Sequence, residues 1–182
     1  MIASGAAHRV NNNKISRTEM DSHANVAVAG SNYTKVQDTG RYADVNNFSN
    51  DVSQMKRVTI KDMEIAYDCP YHKKTLLLNI KNSLHVPSMN HNLIPPFILY
   101  EVGLEVDTKP KIHSKNLSVD SHSFFDTAVE LRIPLKFRGV FSYFNSRSLN
   151  SEEIHYCKSY DKIYFTPDFS SWNPTNTSWA EQ

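Results

Sequence analysis

Short strand-like apolar pieces separated by turn residues recur along this chain, and no stretch sustains the spacing of a long amphipathic helix. Residues 58–66 carry the clearest signal. Val58, Ile60 and, after a slip, Met63 and Ile65 are apolar, with Thr59, Lys61, Asp62 and Glu64 between them. Such alternation predicts half of a hairpin with one face open to water, and the slip at Asp62 predicts a bend or bulge. Residues 26–29 end at Gly30-Ser31-Asn32, a strand followed by a turn. Residues 76–80 and 83–86 read as two more strands. Leu93-Ile94 is stopped by Pro95-Pro96, after which residues 97–102 form a short helix closed by Gly103. Proline suits a helix start, and glycine suits the position just past its end.

Residues 104–106 resume a strand, and past Pro110 a hydrophilic patch, 113–116, precedes strand-like pieces at 123–125, 131–137 and 140–144. The pattern therefore predicts an all-β protein with one short helix. It divides the chain into a flexible, Asn-rich lead-in (1–18), a β-domain (19–109) and a peripheral β-rich extension (110–182). Trp172 and Trp179 are expected to anchor the end of that extension, because aromatic rings bury large apolar areas.

Composition narrows the possible partners. A chain of 182 residues suits one domain, or one with an appendage, and its 40% hydrophobic content leaves part of it outside the core. Twenty Lys and Arg stand against 19 Asp and Glu, a formal charge of +1. That balance gives no basic excess to hold a phosphate backbone or an anionic membrane, which argues against nucleic acid as the main partner. The five glycines are isolated, so neither dinucleotide-binding nor P-loop motifs can be built from them. No apolar run approaches the roughly 18 residues of a membrane span. The N-terminus lacks the apolar core of a signal peptide, and two cysteines make no disulfide framework. These features lead to the expectation of an intracellular, cytoplasmic protein.

Candidate chemistry centres on Asp21-Ser22, a carboxylate and a hydroxyl between a polar lead-in and an apolar strand. Aspartic proteases need two carboxylates that share a proton, one acting as base on a water while the other donates to the carbonyl. A chain with one such motif must obtain the second from another copy of itself. Read alone, Asp before Ser is also ordinary turn chemistry. Cys69, His72, His155 and Cys157 offer four zinc-ligand types, but the pairs lie more than 80 residues apart and match no common zinc module. No metal and no cofactor is expected.

Four blocks, in order, carry a resemblance: MDSHANVAVAGSN, SLHVPSMNHNLIPPFILYEVGLEV, IPLKFRGVFSYFNSRSLNSEEI and TPDFSSWNPTNTSWAEQ. With them, the chain from Glu19 to Glu181 resembles the protease segment of copia-type retrotransposon polyproteins, in the variety found in diatoms and related algae. The resemblance implies a closed, retropepsin-like β-fold working as a symmetric homodimer on a polypeptide substrate. Asp21 would match the catalytic aspartate, and Ser22 the hydroxyl that braces the two active-site loops. The hairpin over 55–70 would match the flap, with Ile60, Met63 and Ile65 against the substrate. Leu93-Ile94 would match the strand that threads behind the catalytic loop, and residues past about 109 the stretch leading toward integrase. Three positions depart from the pattern: His23 replaces the usual glycine, and Asn25 and Ala27 stand where this group more often has Asp and Cys. The alternative is a catalytically inactive β-domain of transposon origin with a binding or structural role.

Overall fold

A computed structural model describes residues 16–45, 54–118, 120–156, 158 and 160–167. Along them run β1 (Ser16–Met20), β2 (Val28–Ala29), β3 (Thr34–Val45), β4 (Met55–Cys69), β5 (Lys74–His85), β6 (Asn92–Ile94), α1 (Pro96–Glu101) and β7 (Glu105–Asp107). They are followed by β8 (Ser123–Asp126), β9 (Leu131–Pro134), β10 (Lys136–Arg138), β11 (Phe141–Ser146), α2 (Ser151–His155) and β12 (Lys162–Tyr164). The chain is β-rich, as its alternation predicts.

The proline-to-glycine bracket gives α1. Pro96 opens the helix, Gly103 takes φ +80°, and the N–H of Leu104 returns to the carbonyl of Leu99 at 3.0 Å. Ile98 and Leu99 face the core. A second short helix, α2, adds to the one expected. Its signature is Asn150-x-x-Glu153: the Asn150 side chain accepts from the Glu153 N–H, and the Glu153 carboxylate accepts from the Asn150 N–H, each at 2.8 Å. No helix among the described residues is long and apolar enough to cross a membrane.

Nine strands form the main sheet, ordered β10-β11-β1-β6-β2-β5-β4-β3, with β12 also beside β5. The closed sheet expected above is not formed. The end strands β10 and β3 do not pair with each other; β10 is only three residues long, and β3 is broken by three register shifts. Strands β7, β8 and β9 make a separate antiparallel sheet.

Residues 55–69 are one half of a hairpin with β5, as the alternation predicts, but from Ile60 onward the strand is not open to water on one side. β3 lies on one side of β4 and β5 on the other. The slip at Asp62 does become an irregularity, with the register shifting between Lys61 and Met63. Opposite it, Asn82 takes φ 57° and its N–H donates to Asp62 Oδ1 at 2.9 Å. This lets β5 run through both of the pieces read separately in the sequence.

Both faces of β4 are covered. On one, Met63, Ile65 and Tyr67 meet Leu78 and Ile80 of β5, Ile98 and Leu99 of α1, and Phe124 and Ile133 of the small sheet. On the other, Ala66 packs with Leu77 and Leu149, and the buried Glu64 accepts from Lys162 Nζ at 2.6 Å. An alternation with charged residues on one side therefore does not mark a wet face here.

Residues past 109 are woven into the same core, which corrects the expectation of a peripheral extension. β11 pairs antiparallel with β1, from Ser16↔Ser146 to Glu19↔Tyr143, and β12 pairs parallel with β5. Phe124 meets Phe144 and Phe165 edge-on, with ring centroids 5.4 and 5.3 Å apart. Ser16, Arg17 and Thr18 likewise belong to β1 and not to a lead-in. Trp172 and Trp179 lie outside the described residues.

Arg147 ties α2 to the end of β4. Its Nε and one terminal nitrogen donate to the Asp68 carboxylate, both at 2.8 Å, and its terminal nitrogens reach Glu153 at 2.8 and 2.7 Å. Hydrogen bonds from Arg147 hold both carboxyls below their ordinary values of 3.8 and 4.5. A depressed carboxyl stabilises the fold above its unfolded pKa, and that contribution is lost as pH falls through the folded value. Melting temperature should therefore hold near neutrality and drop once pH passes below about 4.5. Arg147→Met should lower the plateau and flatten this acid limb; a limb of unchanged slope would mean that other carboxyls set it.

Candidate active site

Asp21 follows directly on the last residue of β1. Its backbone N–H donates to the carbonyl of Ile94 at 3.1 Å, continuing the parallel pairing in which Thr18, Glu19 and Met20 lie beside Asn92, Leu93 and Ile94. On its other side β6 pairs antiparallel with β2, Val28 opposite Leu93. Strand β6 thus runs between the two limbs of the 21–27 loop and fixes where it leaves the sheet.

Within the loop, Asp21 Oδ1 accepts the N–H of His23 at 2.9 Å, the short-range bond of an Asx turn. The Asp21 side chain keeps 25% of its surface open. His23 points outward, 81% exposed, with Nδ1 3.8 Å from Asp21 Oδ1 and 3.5 Å from Ser22 Oγ. No acidic side chain among the described residues is hydrogen-bonded to Asp21. Ser22 lines a cavity of about 410 Å³, walled by Met20 and Pro96 on one side and Phe137, Val140 and Ser142 of the β10–β11 hairpin on the other.

His122, buried beneath that hairpin, stacks on Phe137 with centroids 4.7 Å apart and lies 3.0 Å through Nε2 from Ser142 Oγ. Burial, ahead of neighbouring charges, pulls its imidazole below the ordinary range.

A buried polar relay supports the loop from behind. Asn92 is fully buried; its Oδ1 accepts the N–H of Gly30 at 2.9 Å, and its Nδ2 reaches Thr18 Oγ1 at 3.4 Å. Thr18 Oγ1 lies 2.8 Å from Ser146 Oγ. Gly30 is needed for close approach: a Cβ there would sit 2.2 Å from the His91 carbonyl oxygen and 2.8 Å from that of Met89. Neither Gly30 nor Asn92 stands out in the sequence as a support of the loop. The available signals were a glycine ending an apolar strand and an amide opening the Asn92-Leu93-Ile94 run.

The other proposed contacts do not join this site. Ile60, Met63 and Ile65, expected against a substrate, are 3%, 0% and 0% exposed. Ile60 packs with Val26 and Leu84, while Met63 and Ile65 belong to the main core. Their strand is internal to the sheet, so these side chains are spent on the fold. Cys69 Sγ lies 3.6 Å from His72 Nδ1, and Cys157 is outside the described residues. Among the described residues no group of three or more His, Cys, Asp or Glu side chains is arranged to hold a metal ion.

No family model, no curated protein and no solved structure matches this chain.

Proposed function

We propose that this chain is an aspartic endopeptidase of the copia type, in which Asp21 and its counterpart in a second copy share a proton and activate water against a peptide bond. The observation that carries this reading is the threading of β6 between β1 and β2, with Ile94 receiving the Asp21 N–H. That arrangement presents a partly open carboxylate at the end of a rigid sheet, with its backbone already satisfied. Its partner in the chemistry must come from outside the chain. Ser22, on the same loop, is the residue to brace one copy against the other.

A second reading has its own support. The Asx turn occupies one Asp21 oxygen, His23 stands where glycine would let two loops approach, and no substrate-facing strand is formed by Ile60, Met63 and Ile65. These favour a non-enzymatic β-domain of transposon origin.

Sedimentation of the full chain over a wide concentration range separates the two. The protease requires a dimer whose appearance coincides with cleavage of a labelled polypeptide. A chain that stays monomeric at every concentration cannot assemble the carboxylate pair, and the non-enzymatic reading then holds.

A further inference from the structure

Strands β1, β11 and β10 share one face that the chemistry above does not use. Directly paired residues point the same way from a sheet, so Arg17 with Asn145, Glu19 with Tyr143, and Lys136 with Tyr143 fall on one side. Of these, Arg17, Tyr143 and Asn145, together with Arg138, Ser16, Asn32 and Asn90, line a cavity of about 310 Å³ whose lining holds no carboxylate.

The cationic groups are placed rather than merely present. Glu19, 6% exposed, holds Arg17 through Nε and also lies 3.5 Å from His91 Nε2. This fixes the guanidinium from behind and leaves its two terminal nitrogens without a hydrogen-bond partner among the described residues. Asn32 Nδ2 donates to Ser16 Oγ at 2.5 Å and to the Asn90 carbonyl, tying the far wall to β1. Arg138, Tyr143 and Asn145 make no side-chain hydrogen bond or ion pair with any described residue. Lys136 is exposed beside them, so Glu19 is the one acid facing Arg17, His91, Lys136 and Arg138 among the described residues of these strands.

From these contacts we infer that this face is a docking groove for an extended acidic polypeptide segment. Arg17 lies opposite Asn145 and Arg138 opposite Phe141, two strand spacings across and four residues along the sheet, a backbone separation of about 16 Å that matches carboxylates about five residues apart in an extended peptide. The two terminal nitrogens of a guanidinium can donate a pair of hydrogen bonds to one carboxylate. The Asn145 amide offers a donor and an acceptor, as a peptide group does, and Tyr143 adds a hydroxyl. A polyphosphate is the weaker fit, because it has no amide groups to pair with the Asn145 amide that shares the cavity lining.

The test is fluorescence anisotropy of a labelled Glu-Ser-Ser-Ser-Ser-Glu peptide with the full chain. Saturable one-to-one binding is expected, weakened about tenfold in Arg138→Gln and changed by less than about twofold in Lys109→Gln, a surface charge elsewhere. Arg138→Lys should fall between, and the same peptide with Gln for Glu should not bind. Absence of binding overturns the inference, as do an unaffected Arg138→Gln or equal losses in the Arg138 and Lys109 variants. A single-stranded oligonucleotide of equal charge that binds more tightly through Arg138 overturns it too, in favour of a nucleic-acid surface. The readout is binding and independent of Asp21, so failure here and failure of the protease reading are distinguishable.

Discussion

Asp21→Asn should abolish peptide cleavage, a loss of about a thousandfold or more, while leaving the sheet and any dimer intact. The side chain sits in an Asx turn through Oδ1, and an amide oxygen can accept the same His23 N–H at the same place. The backbone bond to Ile94 does not involve the side chain at all. Shape is therefore conserved, and what disappears is the carboxylate that would share a proton with its counterpart. His23→Gly is the companion variant. The imidazole is 81% exposed and its backbone N–H persists in glycine, so cleavage should be retained or rise as the two loops approach more closely. If Asp21→Asn cuts as fast as the parent chain, the carboxylate is a turn residue and the protease reading ends.

Gly30→Ala should be among the most damaging single changes outside the core, costing about 3 kcal/mol. The added Cβ would meet two backbone carbonyl oxygens, of His91 and Met89, and backbone cannot swing aside as a flexible side chain can. Relief requires moving the segment that leads into β6. That movement would also break the Gly30 N–H to Asn92 bond and the Ser31 N–H to Met89 bond, at 2.9 and 2.7 Å. In a chain of this size the melting temperature should fall by about 6–12 °C. Gly139→Ala is the contrast. It has φ +60° but open space around it, so its cost is only the left-handed backbone, about 1 kcal/mol. Equal losses at the two sites would mean that the contact behind the Asp21 loop is not tight.

Local signals in the sequence carry the elements whose cause is local. Alternation marks β4, the slip at Asp62 marks its irregularity, and the Pro95-Pro96 to Gly103 bracket marks α1. The capping box of α2 was equally readable from Asn150 and Glu153. Asp21 and Ser22 were visible as a carboxylate beside a hydroxyl at the end of a strand. These features depend on a residue and its neighbours within a few positions, where propensity and backbone geometry act.

Tertiary structure alone decided which face of each strand is wet and which segments belong together. Glu64 looks solvent-facing in the alternation of β4, yet it is buried because Lys162, 98 residues away, supplies its counter-charge. Ile60, Met63 and Ile65 fit a cleft as well as a core by pattern; flanking by both β3 and β5 makes them core. The composition shift after Pro110 suggests a boundary, but β11 on β1 and β12 on β5 carry the later residues into the main sheet. Sheet pairing joins residues more than a hundred positions apart through backbone hydrogen bonds that any side chain permits. A one-dimensional pattern therefore fixes that a strand exists, while its neighbours are chosen by the burial that the whole chain achieves together.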